Sequence, residues 1–110
     1  MPSTYKVLGQ IHPPAATTQS LYTVPAATQA VASTLVVCNM SSGSAATVRV
    51  AVQPAGASVL DQHYIVYDST INANDSLFLT IGLALGATDI VSARASTADV
   101  SFSLFGSEIT

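Results

Sequence analysis

Formal charge is nearly missing from this chain: Lys6, Arg49, Arg94, Asp61, Asp68, Asp75, Asp89, Asp99 and Glu108 are the only charged residues among 110. They make up 8% of the sequence, against about 25% in an ordinary soluble domain. Three cations and a net charge of −3 cannot build the Lys/Arg surface that nucleic acid demands, so no nucleic-acid partner is expected. Tryptophan is absent, which removes the usual platform of a carbohydrate-binding module. There is one cysteine, Cys38, so no internal disulfide can form. It lies in the apolar run Leu35-Val36-Val37-Cys38 with no cation nearby in sequence, and reads as a structural thiol. Apolar runs are short and stay far below the roughly 20 residues that span a bilayer, so no membrane partner is expected. The first residues, Met1 to Lys6, carry no apolar core of a secretory signal, which points to synthesis in a cytosol and makes the sequons at Asn39 and Asn74 chance occurrences.

Catalytic patterns are missing too. The six glycines are scattered, so there is no phosphate-cradling loop, and no Gly-x-Ser-x-Gly turn presents a nucleophile. Zinc needs clustered Cys, His and carboxylates; the nearest approach is Asp61-Gln62-His63, with His12 far away in sequence. If that stretch is extended, Asp61 and His63 share a face and either form a hydrogen-bonded pair or bind an ion together with copies from symmetry mates; otherwise His63 is a surface residue beside a solvating Asp. Most carboxylates fall in turns or at strand ends, where Asp bonds local amides. The expectation is a protein that is not an enzyme and needs no metal or cofactor.

What is present is a strand signal. In Thr47-Val48-Arg49-Val50-Ala51-Val52-Gln53 three valines point one way and polar residues the other. Leu77 to Leu83 and Val100 to Leu104 repeat the alternation and are expected to be central strands. Weaker candidates run over Tyr5 to His12, Leu21 to Val24, Val31 to Met40, Gln62 to Asp68 and Thr88 to Ala95, each bounded by Pro, Gly, Asn or Ser bends. About eight short strands at this spacing predict an all-β fold, one antiparallel β-sandwich or jelly-roll-like domain over residues 1–110. The expected core is Leu35, Val37, Val48, Val50, Val52, Leu77, Leu79, Ile81, Val100, Phe102 and Leu104. Residues 1–20, with a Pro13-Pro14 break and an Ala/Thr-rich stretch, form either a strand paired within the chain or an arm that adds to a neighbour's sheet.

A surface of Ala, Ser, Thr, Asn and Gln suits packing against other subunits better than isolation in water. Candidate interface residues are Tyr5, His12, Pro13 and Pro14 at the start, Phe105 and Glu108 at the end, and Arg49, His63 and Arg94 between them. Arg49 and Arg94 sit mid-strand opposite apolar rows, where each either forks onto a carboxylate of another subunit or is simply solvated.

The phrases Leu21-Tyr22-Thr23-Val24-Pro25-Ala26, Val36-Val37-Cys38-Asn39, Val48 to Ala57, Tyr64-Ile65-Val66-Tyr67-Asp68 and Phe105 to Ile109 resemble small β-sandwich structural proteins of tailed bacteriophages, cyanophages among them. That resemblance runs from Leu21 onward and implies a virion component, often a homotrimer. It implies a capsid decoration (cement) protein held to the major capsid protein and assembled in the host cytoplasm. The alternative it implies is a tail, baseplate or fibre module, with a structural or receptor-binding role.

Overall fold

The computed structural model describes residues 3–110; the first two residues of the expected arm lie outside the described residues. Eight strands form: β1 (Ser3–Ile11), β2 (Gln19–Thr23), β3 (Gln29–Asn39), β4 (Ala46–Gln53), β5 (Tyr64–Ile71), β6 (Ser76–Leu85), β7 (Ile90–Ala95) and β8 (Val100–Ile109). Among the described residues helix is limited to single 3-10 turns at Pro54–Gly56 and Asp61–His63 in the β4–β5 connection. Two four-stranded antiparallel sheets result, ordered β1-β8-β3-β6 and β2-β7-β4-β5.

The order follows one rule. β1 pairs with β8, β2 with β7, β3 with β6 and β4 with β5, so the second half of the chain runs back along the first. The doubled ribbon then rolls up and is sealed by β3 against β8 and β4 against β7. This is a double-sheet jelly roll.

Alternation decides which side chains go inside. Leu35, Val37, Val48, Val50, Val100, Phe102 and Leu104 are all fully buried between the sheets, as their period-two spacing predicts. Val52, Leu77, Leu79 and Ile81 pack against that core but stay partly exposed. For the last three the reason is topological: β6 is an edge strand, bonded to β3 alone, and the expectation of a central strand is corrected. β8 is central as expected, but it continues to Ile109, so Phe105 and Glu108 belong to a strand flanked by β1 and β3 and not to a free tail.

β1 pairs antiparallel with β8 of the same chain. Of the expected interface residues at this corner, Pro13 is fully buried within the chain, while His12 and Pro14 are exposed. Close backbone approach seals this corner and the next. A Cβ at Gly9 would stand 2.0 Å from the Leu21 carbonyl oxygen, and one at Gly106 would stand 2.0 Å from that of Val31. Glycine is required at both places by space alone.

At one end of the sandwich the loops are tied together by main-chain bonds: Ala16 N–H to the Ala95 carbonyl, Met40 to Asp99, and Asn74 to Ser41. The His12 ring also bonds the Ala98 carbonyl. Asn39, fully buried, is the hub. Its Nδ2 donates to the carbonyls of Ser44 (3.0 Å), Ile71 (3.0 Å) and Asn72 (3.3 Å), and its Oδ1 accepts from the Ser41 N–H at 3.1 Å.

Candidate interaction surfaces

The two outer faces of the sandwich differ in chemistry. In the sheet β1-β8-β3-β6 the strands hold two charged residues, Lys6 and Glu108. Both turn toward the second sheet: Lys6 Nζ donates to Glu108 Oε1 at 3.1 Å and the Tyr22 hydroxyl of β2 donates to Glu108 Oε2 at 2.5 Å. Glu108 therefore clasps the sheets together within the chain. The bonds from Tyr22 and Lys6 hold its carboxyl below the usual carboxylate range, while burial, reinforced by the neighbouring carboxylate, pushes the Tyr22 hydroxyl up.

The outer side of this sheet is left without charge. Its rows follow the register: Tyr5 beside Ser107 and Val31, Val7 beside Phe105 and Thr34, and Ser103 beside Val36, which lies next to Phe78. Tyr5 is 86% exposed and Phe78 70%, with Val7 and Val31 also exposed. Phe105, half-buried in the middle, joins them. A face without charge, on which large apolar side chains are exposed among small hydroxyls, is the kind of surface that marks a contact site.

The other outer face, of β2-β7-β4-β5, holds both arginines. They stand directly opposite each other, Arg49 on β4 and Arg94 on β7. Like charges in that position repel. Asp68 relieves one of them: Arg49 Nε donates to Oδ1 at 2.6 Å and its terminal nitrogen donates to Oδ2 at 3.1 Å, a fork within one chain. The Arg49 bond keeps the Asp68 carboxyl below its ordinary value, with Arg94 adding to the effect. Arg94 has no ion-pair partner among the described residues.

Aromatic residues complete this cluster. The Arg49 guanidinium lies 4.3 Å from the Tyr67 ring centroid, and Tyr64 meets Tyr67 edge-on with centroids 4.9 Å apart. In a regular strand, residues three apart point to opposite faces. Register shifts between Val48 and Ala51 along the β4–β5 pair, with Asp68 in the left-handed region at φ 53°, turn Tyr64, Tyr67 and Asp68 to one side. Sequence periodicity places the two tyrosines apart, so it misses this grouping; the Asp after Tyr67, a residue tolerant of positive φ, is the one signal for it. Asp61, Tyr64 and Tyr67 line a hollow of about 450 Å³ there, with Leu60 and Ile65 exposed nearby.

His63 does not pair with Asp61. Both lie in the 3-10 turn, where the His63 ring Nδ1 accepts the Leu60 N–H at 3.0 Å. Asp89 and Asp75 are the turn formers expected: Asp89 binds the amides of Ala55 and Gly86, and Asp75 that of Ser76. Asn39 was legible only as a sequon, and its burial removes it from any glycan.

No protein-family model matches the chain, and no curated protein matches it in sequence. Its fold is similar to that of a chain in the T13 viral particle of infectious bursal disease virus, with a TM-score of 0.55 and 14% identity over 96% of this chain and 30% of that one. The structure of the Gx strain of the same virus gives a TM-score of 0.54 at 14% identity, over 97% of this chain and 32% of that one. The chain thus spans about a third of the length of the chains it matches, and what it shares with them is the fold.

Proposed function

We propose that this chain is a non-enzymatic structural component of a virus particle, a capsid decoration protein that bridges shell subunits as one sandwich domain. The observation that carries the reading is the charge-free, apolar outer face of the β1-β8-β3-β6 sheet on a jelly roll. Jelly rolls recur in viral capsid and lectin domains, and the fold likeness to chains of a virus particle supports the first of these. In this reading copies associate as homotrimers and bind the major capsid protein of a tailed bacteriophage, in virions assembled in the host cytoplasm. Each copy covers a modest area, and many copies add up through multivalency.

Tyr5, Phe105 and the exposed residues around them form the contact with neighbours, and Arg94 takes a carboxylate from the partner. Add-back to particles lacking the protein tests this. Tyr5→Ser, at a residue 86% exposed, leaves the fold intact and weakens binding roughly tenfold or more, as loss of a buried interface aromatic does. Arg94→Glu weakens it as well. Binding unchanged in both variants refutes the assignment of these faces.

A second reading is a tail, baseplate or fibre module that binds a receptor. The Tyr64–Tyr67 pair with the hollow beside it favours this, because paired aromatics with adjacent Arg and Asp side chains suit a sugar. Saturable change in tyrosine fluorescence with host-surface glycans, lost in Tyr67→Ala, selects it over the decoration role.

A further inference from the structure

The four edge strands of the sandwich are protected unequally. β1 carries Lys6 in its middle and a register shift at Val7 to Gly9. β2 is five residues long and shifts register between Ser20 and Tyr22. β5 has two shifts and the left-handed Asp68. Charges, bulges and shortness are the means by which proteins keep sheet edges from pairing with other chains. β6 is ten residues, Ser76 to Leu85, with no charged residue and no proline. β6 too has one register shift, with an extra residue against β3 between Thr80 and Leu83, but exposure still alternates from Leu77 to Ala84 without a break.

Both faces of this edge are apolar. On the inner side Leu77, Leu79, Ile81 and Leu83 pack against the core yet stay half-exposed, because no strand lies beyond them. On the outer side Phe78 is 70% exposed, and Gly82, on the same face beyond Thr80, has open space where a side chain would be.

We infer that β6 is a self-association edge, pairing antiparallel with β6 of a second copy of this chain about a two-fold axis through Thr80. The sequence is self-complementary in that register. Leu77 faces the partner subunit's Leu83, Leu79 faces the partner's Ile81, and Phe78 lies across from the partner's Gly82, filling the space that glycine leaves. Aromatic-over-glycine pairs of this kind stabilise exposed strands, and no charge is brought against a like charge. Pairing satisfies the backbone groups along both edges and covers the half-exposed aliphatics. It also extends the charge-free outer face over an eight-stranded sheet. A two-fold contact of this kind is isologous and closes on itself, leaving every other surface available to further partners. The inference holds whether or not the chain resides in a virion.

The test is the solution mass of the full chain by analytical ultracentrifugation at about 100 μM, a concentration at which micromolar association is populated. The native protein is expected at an even number of chains, two or, where the three-fold contact also forms, six, and Thr80→Lys, which sets two ammonium groups on the axis, halves that number. Gln10→Lys, on the opposite edge, leaves it unchanged. A monomeric native protein, or a mass unaltered in a folded Thr80→Lys variant, overturns the inference. Should Thr80→Lys fail to fold, Thr80→Cys in a Cys38→Ser background decides. A short bis-maleimide then joins two copies through residue 80 if the edges pair, and the absence of a covalent dimer refutes the pairing.

Discussion

Replacing Asn39 with leucine removes a buried amide that holds three loop carbonyls, and the loss can be worked out bond by bond. The Ile71 carbonyl lies in a buried bond at 3.0 Å and is stranded without its donor, which costs about 1–3 kcal/mol. The Ser44 and Asn72 carbonyls are only part-buried and recover water, so each loses a net ~0.5–1.5 kcal/mol. The Ser41 N–H loses its acceptor as well. With a similar loss at the Ser41 N–H, the sum is roughly 2.5–7.5 kcal/mol, a large part of the ~5–15 kcal/mol by which domains are stable. At about 4 °C per kcal/mol for a chain of this size, the midpoint of thermal unfolding falls by about 10–30 °C. Circular dichroism during heating and urea titration measures it, with tyrosine emission as a second probe. Asn39→Asp separates hydrogen bonding from shape. Its carboxylate faces three carbonyl oxygens, so its native pKa rises above the unfolded value, and its deficit against the parent protein shrinks as pH falls and the group protonates to become a donor. A loss below about 1 kcal/mol in Asn39→Leu, or a deficit in Asn39→Asp that ignores pH, refutes the hub.

Other consequences follow from the same geometry. Glu108 and Asp68 have native pKa values below their unfolded ones, so the stability they add is complete above the ordinary carboxylate range and lost as pH falls through the depressed values. Urea unfolding at pH 7, 5 and 3 should show that decline, and Tyr22→Phe should flatten it by removing the first donor to Glu108. Gly106→Ala sets a methyl 2.0 Å from the Val31 oxygen and should leave little folded protein, whereas Gly82→Ala, where nothing lies within 4 Å, should be tolerated in the monomer. Because the first and last strands pair and most contacts are far apart in sequence, refolding should take milliseconds to seconds by stopped flow, and a sub-millisecond phase carrying the full amplitude would contradict that topology.

Much of the fold was legible because alternation and punctuation coincide. Each of the eight expected stretches contains a strand, and Val48 and Val50 of β4 and the Val100, Phe102 and Leu104 row of β8 are buried as their spacing requires. Strand order was not legible. Leu77 to Leu83 alternates as cleanly as a central strand, yet the returning half of the ribbon leaves it at the edge, a long-range outcome that a local pattern cannot encode. The arginine cluster escaped for a related reason. Arg49 was placed correctly opposite the valines, but its partner Asp68 reads locally as a turn former, and only the β5 register shifts bring Asp68 and the two tyrosines to Arg49. Pro13 and Glu108, expected among the interface residues, are a buried residue and an inter-sheet clasp.

The central claim is that this jelly roll serves as a building element of a virus particle, and the copy number of the chain in purified particles tests it most directly. Quantitative mass spectrometry against the major capsid protein is expected to find the chain at a number comparable to the shell subunit. A small multiple of three or six instead selects the tail or baseplate reading, and absence of the chain from particles contradicts the account.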